Sequence, residues 1–338
     1  MNPKFQNAIK GVAQNCPPVW FMRQAGRYHQ HYQKLRKENS FMDLCKNPKL
    51  AAEVALGPIE DFDFDISILF SDLLFPLEVM GMGLDYQPGP VLEWHLTGAQ
   101  DLKKLKTGPE TVEQLMFQKE ACQLTRKLLP ENKSFIGFVG GPWTLFSYAV
   151  AGSHESKLKV KEQLPIFPSF CEILMPLLKQ NIQLQLDGGV EAVMVLDTSA
   201  GDLDPHIYNN LIVPIIKDLS ASFPKQLGYY TKNTNYDHIK DLMVDENLAG
   251  IGVDHRWDMA QVLDQSNGFV QGNFDQQLLF MDSSSFEKTM MTYLETMAKL
   301  SPEQRKGWVC GLGHGVLPKT PEAHVKLFVQ RVREVFGE

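Results

Sequence analysis

A chain of 338 residues, 43% hydrophobic and 22% charged, can bury a large core and has the make-up of a folded globular protein. Its net charge of −7 and pI near 5.8 argue against general binding to nucleic acid or anionic membranes. An anionic ligand therefore needs a local cluster of positive charge.

Eight short, β-rich apolar runs follow one another along the chain: 18–23 (PVWFMR), 66–72 (ISILFSD), 135–140 (FIGFVG), 192–198 (AVMVLDT), 227–231 (LGYYT), 248–254 (LAGIGVD), 269–273 (FVQGN) and 308–314 (WVCGLGH). Several are apolar almost throughout, as parallel strands covered on both faces should be. Helical patterns lie between them, with starts at Asn47-Pro48, Asp204-Pro205 and Thr320-Pro321, each read as an N-cap residue followed by proline at the first helical position. Alternating strands and helices predict an α/β fold, a single (β/α)8 TIM barrel over 1–338. The open, doubly wound alternative lacks a GxGxxG turn after its first strand. One long connection, about 83–106, follows the second run.

The strand ends carry Arg23, Asp72, Thr198, Thr231, Asp254, Asn273 and His314. In a barrel these ends converge on the face where active sites sit. Polar residues also simply mark where strands leave a core, but that accounts less well for an Arg, an Asp and a His at one mouth. The stretch 23–37, RQAGRYHQHYQKLRK, is basic throughout and begins at the first strand's end. A charge run is usually a solvated loop; this one is placed where arginines could grip carboxylates in bidentate fashion. Asp72, at the end of a strongly apolar strand, reads either as a helix cap or as an anion in a partly desolvated pocket.

The five cysteines (Cys16, Cys45, Cys122, Cys171, Cys310) are scattered without a CxxC pair, which fits buried thiols in a reducing compartment. The polar N-terminus MNPKFQNAIKG lacks a signal-peptide core, and no apolar run is long enough to span a bilayer. A cytoplasmic location is expected.

Five segments carry a resemblance: PVWFMRQAGRY (18–28), FSDLLFPLEVMGMGL (70–84), GFVGGPWTLFSY (137–148), QGNFD (271–275) and GLGHGVLPKTPEAHV (311–325). In order and over nearly the whole chain, they resemble the uroporphyrinogen decarboxylase family. The resemblance implies a TIM-barrel homodimer that converts the four acetate side chains of uroporphyrinogen to methyls, with no metal or organic cofactor. It assigns substrate carboxylates to Arg23 and Arg27, and further substrate contacts to Gln24, Ala25 and Gly26 in the same loop. Asp72 is to accept hydrogen bonds from the pyrrole N–H groups, with Tyr148, Thr198 and His314 completing the shell and Arg36 and Phe41 as further contacts. Arg23, Asp72, Tyr148 and His314 are the expected catalytic set. Ser199 competes with Thr198 as the hydroxyl, and the proton donor stays open among Arg23, His314, a relay through Tyr148, a substrate carboxylic acid and water. The sequence departs from the family pattern at Gly141, where Ala is common, and at His255-Arg256, where Trp usually follows the aspartate. Two alternatives stand beside this reading. A corrinoid-dependent methyltransferase-like barrel would need a His-x-Cys zinc pair, and none of the nine histidines has Cys two residues later. A non-enzymatic tetrapyrrole carrier would keep the pocket without the chemistry.

Overall fold

In the computed structural model, which describes residues 1–87, 89–152 and 157–337, seven parallel strands form one sheet in chain order. They are β1 (Ile66–Ile68), β2 (Ser134–Gly140), β3 (Ala192–Leu196), β4 (Leu227–Tyr230), β5 (Leu248–Gly252), β6 (Phe269–Phe274) and β7 (Trp308–Leu312). Pairing runs from Ile66 beside Ser134 at one edge to Phe274 beside Leu312 at the other. Every residue of β3, β5, β6 and β7 is buried, as parallel strands covered on both faces require.

Successive side chains on a strand point to opposite faces, so each strand feeds two cores. Val193 and Val195 pack outward in the large cluster shared with the helices, whereas Ala192, Met194 and Leu196 pack inward. The inner core draws on all seven strands and also on Trp20 and Met22. Phe5, on the helix Pro3–Ile9, seals it where the strands begin, its ring 5.7 Å from Phe269.

The expected eighth strand, 18–23, is not part of the sheet. Val19 makes one isolated parallel bridge to Cys310, with Trp20 N–H donating to Cys310 O at 3.0 Å and Cys310 N–H to Pro18 O at 2.9 Å. Pro17 and Pro18 have no N–H with which to extend a ladder, and Arg23, at φ 60°, turns the chain away. On the other flank a side chain shares the pairing with the backbone. Val19 N–H donates to the Asp65 carboxylate at 2.7 Å, and Asp65 N–H to Val19 O at 3.1 Å. Buried Asp65 also holds Lys4 and Arg333, each at 2.8 Å.

Two of the three expected helix starts form as read. Asn47 caps Pro48–Phe62 through the N–H groups of Lys49 and Leu50, and Asp204 caps Pro205–Ser222 through those of His206 and Ile207. At the third, the helix is Glu322–Phe336 and Pro321, not Thr320, stands at the cap; the Thr320 hydroxyl donates to Leu317 O instead. The long connection carries a small hairpin, Asp85–Tyr86 paired antiparallel with Pro90–Val91.

Candidate active site

Just beyond the carboxyl ends of the strands, Arg23, Ala25, Asp72, Phe138, Thr198 and His314 line a common cavity. Its most constrained wall is the turn at Arg23. A non-glycine residue at positive φ costs on the order of 1 kcal/mol or more and persists only where its surroundings fix it. Here Gln24 does the fixing. Its side chain is buried, its amide donates to Ile66 O at 2.9 Å, and Phe21 N–H donates to its amide oxygen. Gln24 therefore braces the loop from behind rather than facing the cavity, contrary to its expected substrate contact. A Cβ at Gly315 would lie 2.6 Å from Arg23 Cδ, so the arginine stem lies across that glycine, next to His314.

Asp72 takes Leu74 N–H at 2.8 Å, an Asx-type turn that ends the strand region. Burial pushes its carboxyl above the ordinary range, while the Tyr86 hydroxyl, the Leu74 N–H and the Arg23 charge pull it back. The site thus holds a carboxylate that is poorly solvated but flanked by donors. Tyr148, on the helix Pro142–Ala151, feels Asp72 and Arg23 as well, and burial followed by the Asp72 charge raises its phenol to about 12. At neutral pH it is a neutral hydroxyl, able to donate but not to act as a base.

His314 is held by Tyr230. The Tyr230 hydroxyl donates to Gly313 O at 2.8 Å and lies 3.0 Å from His314 Nδ1, with the two rings nearly parallel. Because the single Tyr230 proton goes to Gly313, Nδ1–H of His314 is the donor to Tyr230 Oη. Thr198, not Ser199, borders the cavity; Ser199 is buried and its N–H donates to Thr144 Oγ1. The neighbouring Asp197 is buried and caps the helix Pro142–Ala151, accepting Thr144 N–H at 2.7 Å. A Cβ at Gly141 would stand 2.2 Å from Asp197 Cβ and 2.7 Å from its Cα. The departure at Gly141 thus lies against the helix-capping carboxylate. Gly141→Ala is expected to lower stability by about 1–3 kcal/mol in urea titration, as overpacking against an unyielding neighbour does.

The remaining expected residues stand outside the cavity lining. Arg27 is exposed. Arg36, exposed on the helix Gln30–Glu38, donates to Asn39 O at 2.8 Å. Phe41 packs behind the wall, against Phe70 and Tyr86 with ring centroids 6.0 and 4.5 Å away. Gly26 carries no side chain; its carbonyl accepts His29 N–H at 2.9 Å, and a Cβ there would stand 3.3 Å from Arg23 O. Tyr86 and Tyr230 were not anticipated, since Tyr86 lies in a connection without periodicity and Tyr230 inside an apolar run that reads as core. A larger groove of about 970 Å3 along the helix Ser283–Ala298 is lined by a single lysine, Lys288, and no arginine. Among the described residues, no three His, Cys, Asp or Glu side chains converge as a metal site requires.

The comparisons with known proteins agree with the segments quoted above. The family model for uroporphyrinogen decarboxylase (URO-D) matches residues 1–335. Proteins named uroporphyrinogen decarboxylase from Geotalea daltonii and Orientia tsutsugamushi are 32% and 33% identical, over 99% and 98% of both chains. Among solved structures, a methyltransferase from Methanosarcina mazei superposes with a TM-score of 0.76 at 18% identity, covering 99% of this chain and 98% of its own. A putative vitamin-B12-independent methionine synthase from Listeria monocytogenes reaches 0.53 at 13%, covering 96% of this chain and 99% of its own. At such identities these two structures speak for the fold alone. The full-length family match and the relatives above 30% identity place the chain in the uroporphyrinogen decarboxylase family.

Proposed function

We propose that this protein decarboxylates the four acetate side chains of uroporphyrinogen III to give coproporphyrinogen III, as a carboxy-lyase of tetrapyrrole biosynthesis needing no metal or organic cofactor. The observation that carries the reading is Asp72, a carboxylate in a poorly solvated cavity beside Arg23 and Tyr148. Loss of CO2 from an acetate on a pyrrole needs an acceptor for the electron pair of the breaking C–C bond. Protonation of a ring carbon supplies it by turning the pyrrole into an iminium-like cation, so the substrate serves as its own electron sink. CO2 leaves, the pair neutralises the cation, and a proton added at the exocyclic carbon completes the methyl as the ring proton departs. The net change is one proton taken up and one CO2 released per acetate.

Asp72, accepting from the pyrrole N–H groups, stabilises the cation where it forms. Arg23 and Arg27 hold carboxylates, Phe41 contributes from behind the wall, and Arg36, held on Asn39 O, adds positive charge from outside the cavity lining. Thr198 supplies a hydroxyl at the cavity edge, and Tyr148 and His314 complete the shell. Gln24 and Gly26 contribute through the loop they shape. For Arg23, a permanently charged guanidinium, binding is the better-matched role, as it is a weak proton donor at neutral pH.

The segment 18–22 takes the place of an eighth strand, closing a (β/α)8 barrel as one catalytic unit. Its bonds to both sheet edges and its two side chains in the inner core support this closure. The family resemblance supports a homodimer, and the buried free cysteines support a reducing, cytoplasmic location; no helix among the described residues is long and apolar enough to cross a membrane. Counting carboxylates on the product formed from uroporphyrinogen III separates this reading from a carrier, which binds the macrocycle and leaves it intact.

A further inference from the structure

The mouth at the carboxyl ends of the strands has two halves. Residues 22–25 and the ends of β1, β2 and β3 build the Asp72 half. The ends of the other four strands build the second. Lys232 follows β4, Asp254 and Arg256 follow β5, Gln276 follows β6 and His314 follows β7. They surround a separate cavity of about 220 Å3, and His314 lines both cavities. A ligand seated over His314 meets both halves.

The second half is built for an anion. Arg256 is held in place by Asp254, whose Oδ1 accepts its backbone N–H and its Nε, each at 3.0 Å. Its Nη2 bonds the other Asp254 oxygen and Asn233 Oδ1. These bonds leave Nη1 of a fixed guanidinium available for a further acceptor. Asp254 is paired with Arg256, and Asp275 lies 3.8 Å from His255 Nε2. Lys232 lines the same cavity, and no ion pair joins it to a carboxylate among the described residues. Gln276 is 7% exposed and its amide oxygen has no partner. An amide turned over about its last bond presents N–H donors at the same place. Buried polar groups are ordinarily paired, so the partnerless amide oxygen of Gln276, in a cavity also lined by Lys232 and Arg256, marks a position that a ligand fills.

We propose that Lys232, Arg256 and Gln276 form a second carboxylate subsite, which holds a propionate of the tetrapyrrole while an acetate reacts beside Asp72. The proposal rests on the uroporphyrinogen reading above. Propionate is assigned because the acetates disappear through four successive rounds, whereas a subsite serving every round needs a group that persists. A contact that persists through every round binds substrate and transition state alike, so its loss is read in KM rather than in kcat.

The test compares Lys232→Gln and Gln276→Glu with wild type in steady-state kinetics on uroporphyrinogen III. Coproporphyrinogen III, which retains the four propionates, is followed in parallel by anaerobic equilibrium dialysis. Each variant is expected to raise KM about tenfold while kcat changes less than about threefold, and to weaken coproporphyrinogen binding about tenfold. Lys232→Arg should restore both. If wild type decarboxylates and both variants keep KM and dialysis affinity within about twofold of it, the subsite is overturned. If wild type leaves the substrate intact while the variants still weaken coproporphyrinogen binding, the subsite stands and the catalytic reading falls.

Discussion

Asp72→Asn is expected to cut kcat by about a thousandfold while changing KM by less than about threefold. The asymmetry follows from when the charge exists. Neutral pyrroles meet Asp72 as ordinary hydrogen-bond donors, and an amide oxygen accepts from them almost as well. Only after protonation does the ring carry the charge that a carboxylate stabilises and an amide does not. Two unit charges about 4 Å apart at an effective dielectric of about 20 attract by about 4 kcal/mol, about three decades of rate. Losing that interaction slows the chemical step and spares the ground state. The same carboxyl sets a pH limb. Burial raises it above the ordinary aspartate range, so the active carboxylate is lost, and kcat/KM falls, as pH drops through that raised value. The residual activity of Asp72→Asn should lack this limb. A mutant that keeps the limb and most of its kcat would move the stabilising charge to another group.

The largest effect on stability is expected at Asp65. It is 2% exposed and gathers four partners from three distant parts of the chain: Val19 N–H, the Asn2 amide, Lys4 and Arg333. Replacement by alanine strips the carboxylate from two largely buried cations and leaves the Val19 N–H without its acceptor. Breaking one side of a buried ion pair costs about 3–5 kcal/mol, because the remaining charge stays desolvated. That is a large share of the 5–15 kcal/mol typical of a folded domain. Asp65→Asn, which keeps an acceptor for Val19, should lose less. Equilibrium urea unfolding measures both. A loss below about 1 kcal/mol for the alanine variant would show that the seam is held by the Pro18–Cys310 and Trp20–Cys310 backbone bonds alone.

The alternating runs locate all seven strands of the sheet, because burial on both faces leaves long apolar signatures that polar side chains interrupt only at the ends. Those interruptions mark the mouth but not the last paired residue. The run 66–72 is paired only over Ile66–Ile68, and its polar end belongs to a turn in which the Asp72 carboxylate accepts Leu74 N–H. The run 18–23 reads as a strand by composition, yet its prolines and the reversal at Arg23 are settled by tertiary bonds to Asp65 and Cys310. Loop residues behave similarly. Arg23, Ala25 and Gln24 are adjacent in sequence, but only the fold decides that the first two border the cavity and Gln24 turns inward to Ile66. Tyr86 belongs to a hairpin with two residues per strand, too short for any periodic signal. The basic run 23–37 places its charges unevenly: Arg23 reaches the cavity, Arg36 is taken by Asn39, and His29 is buried against Asp61 at 2.7 Å.

The central claim is that Asp72 sits at the heart of a decarboxylation the substrate itself makes possible. It is tested most directly by incubating the purified protein anaerobically with freshly reduced uroporphyrinogen III and no added metal. The products are then oxidised and their carboxylates counted by HPLC. The account predicts a ladder from eight carboxylates to four for wild type, and a nearly unchanged octacarboxylate for Asp72→Asn over the same interval. Wild type that binds the macrocycle and leaves all eight carboxylates would contradict it.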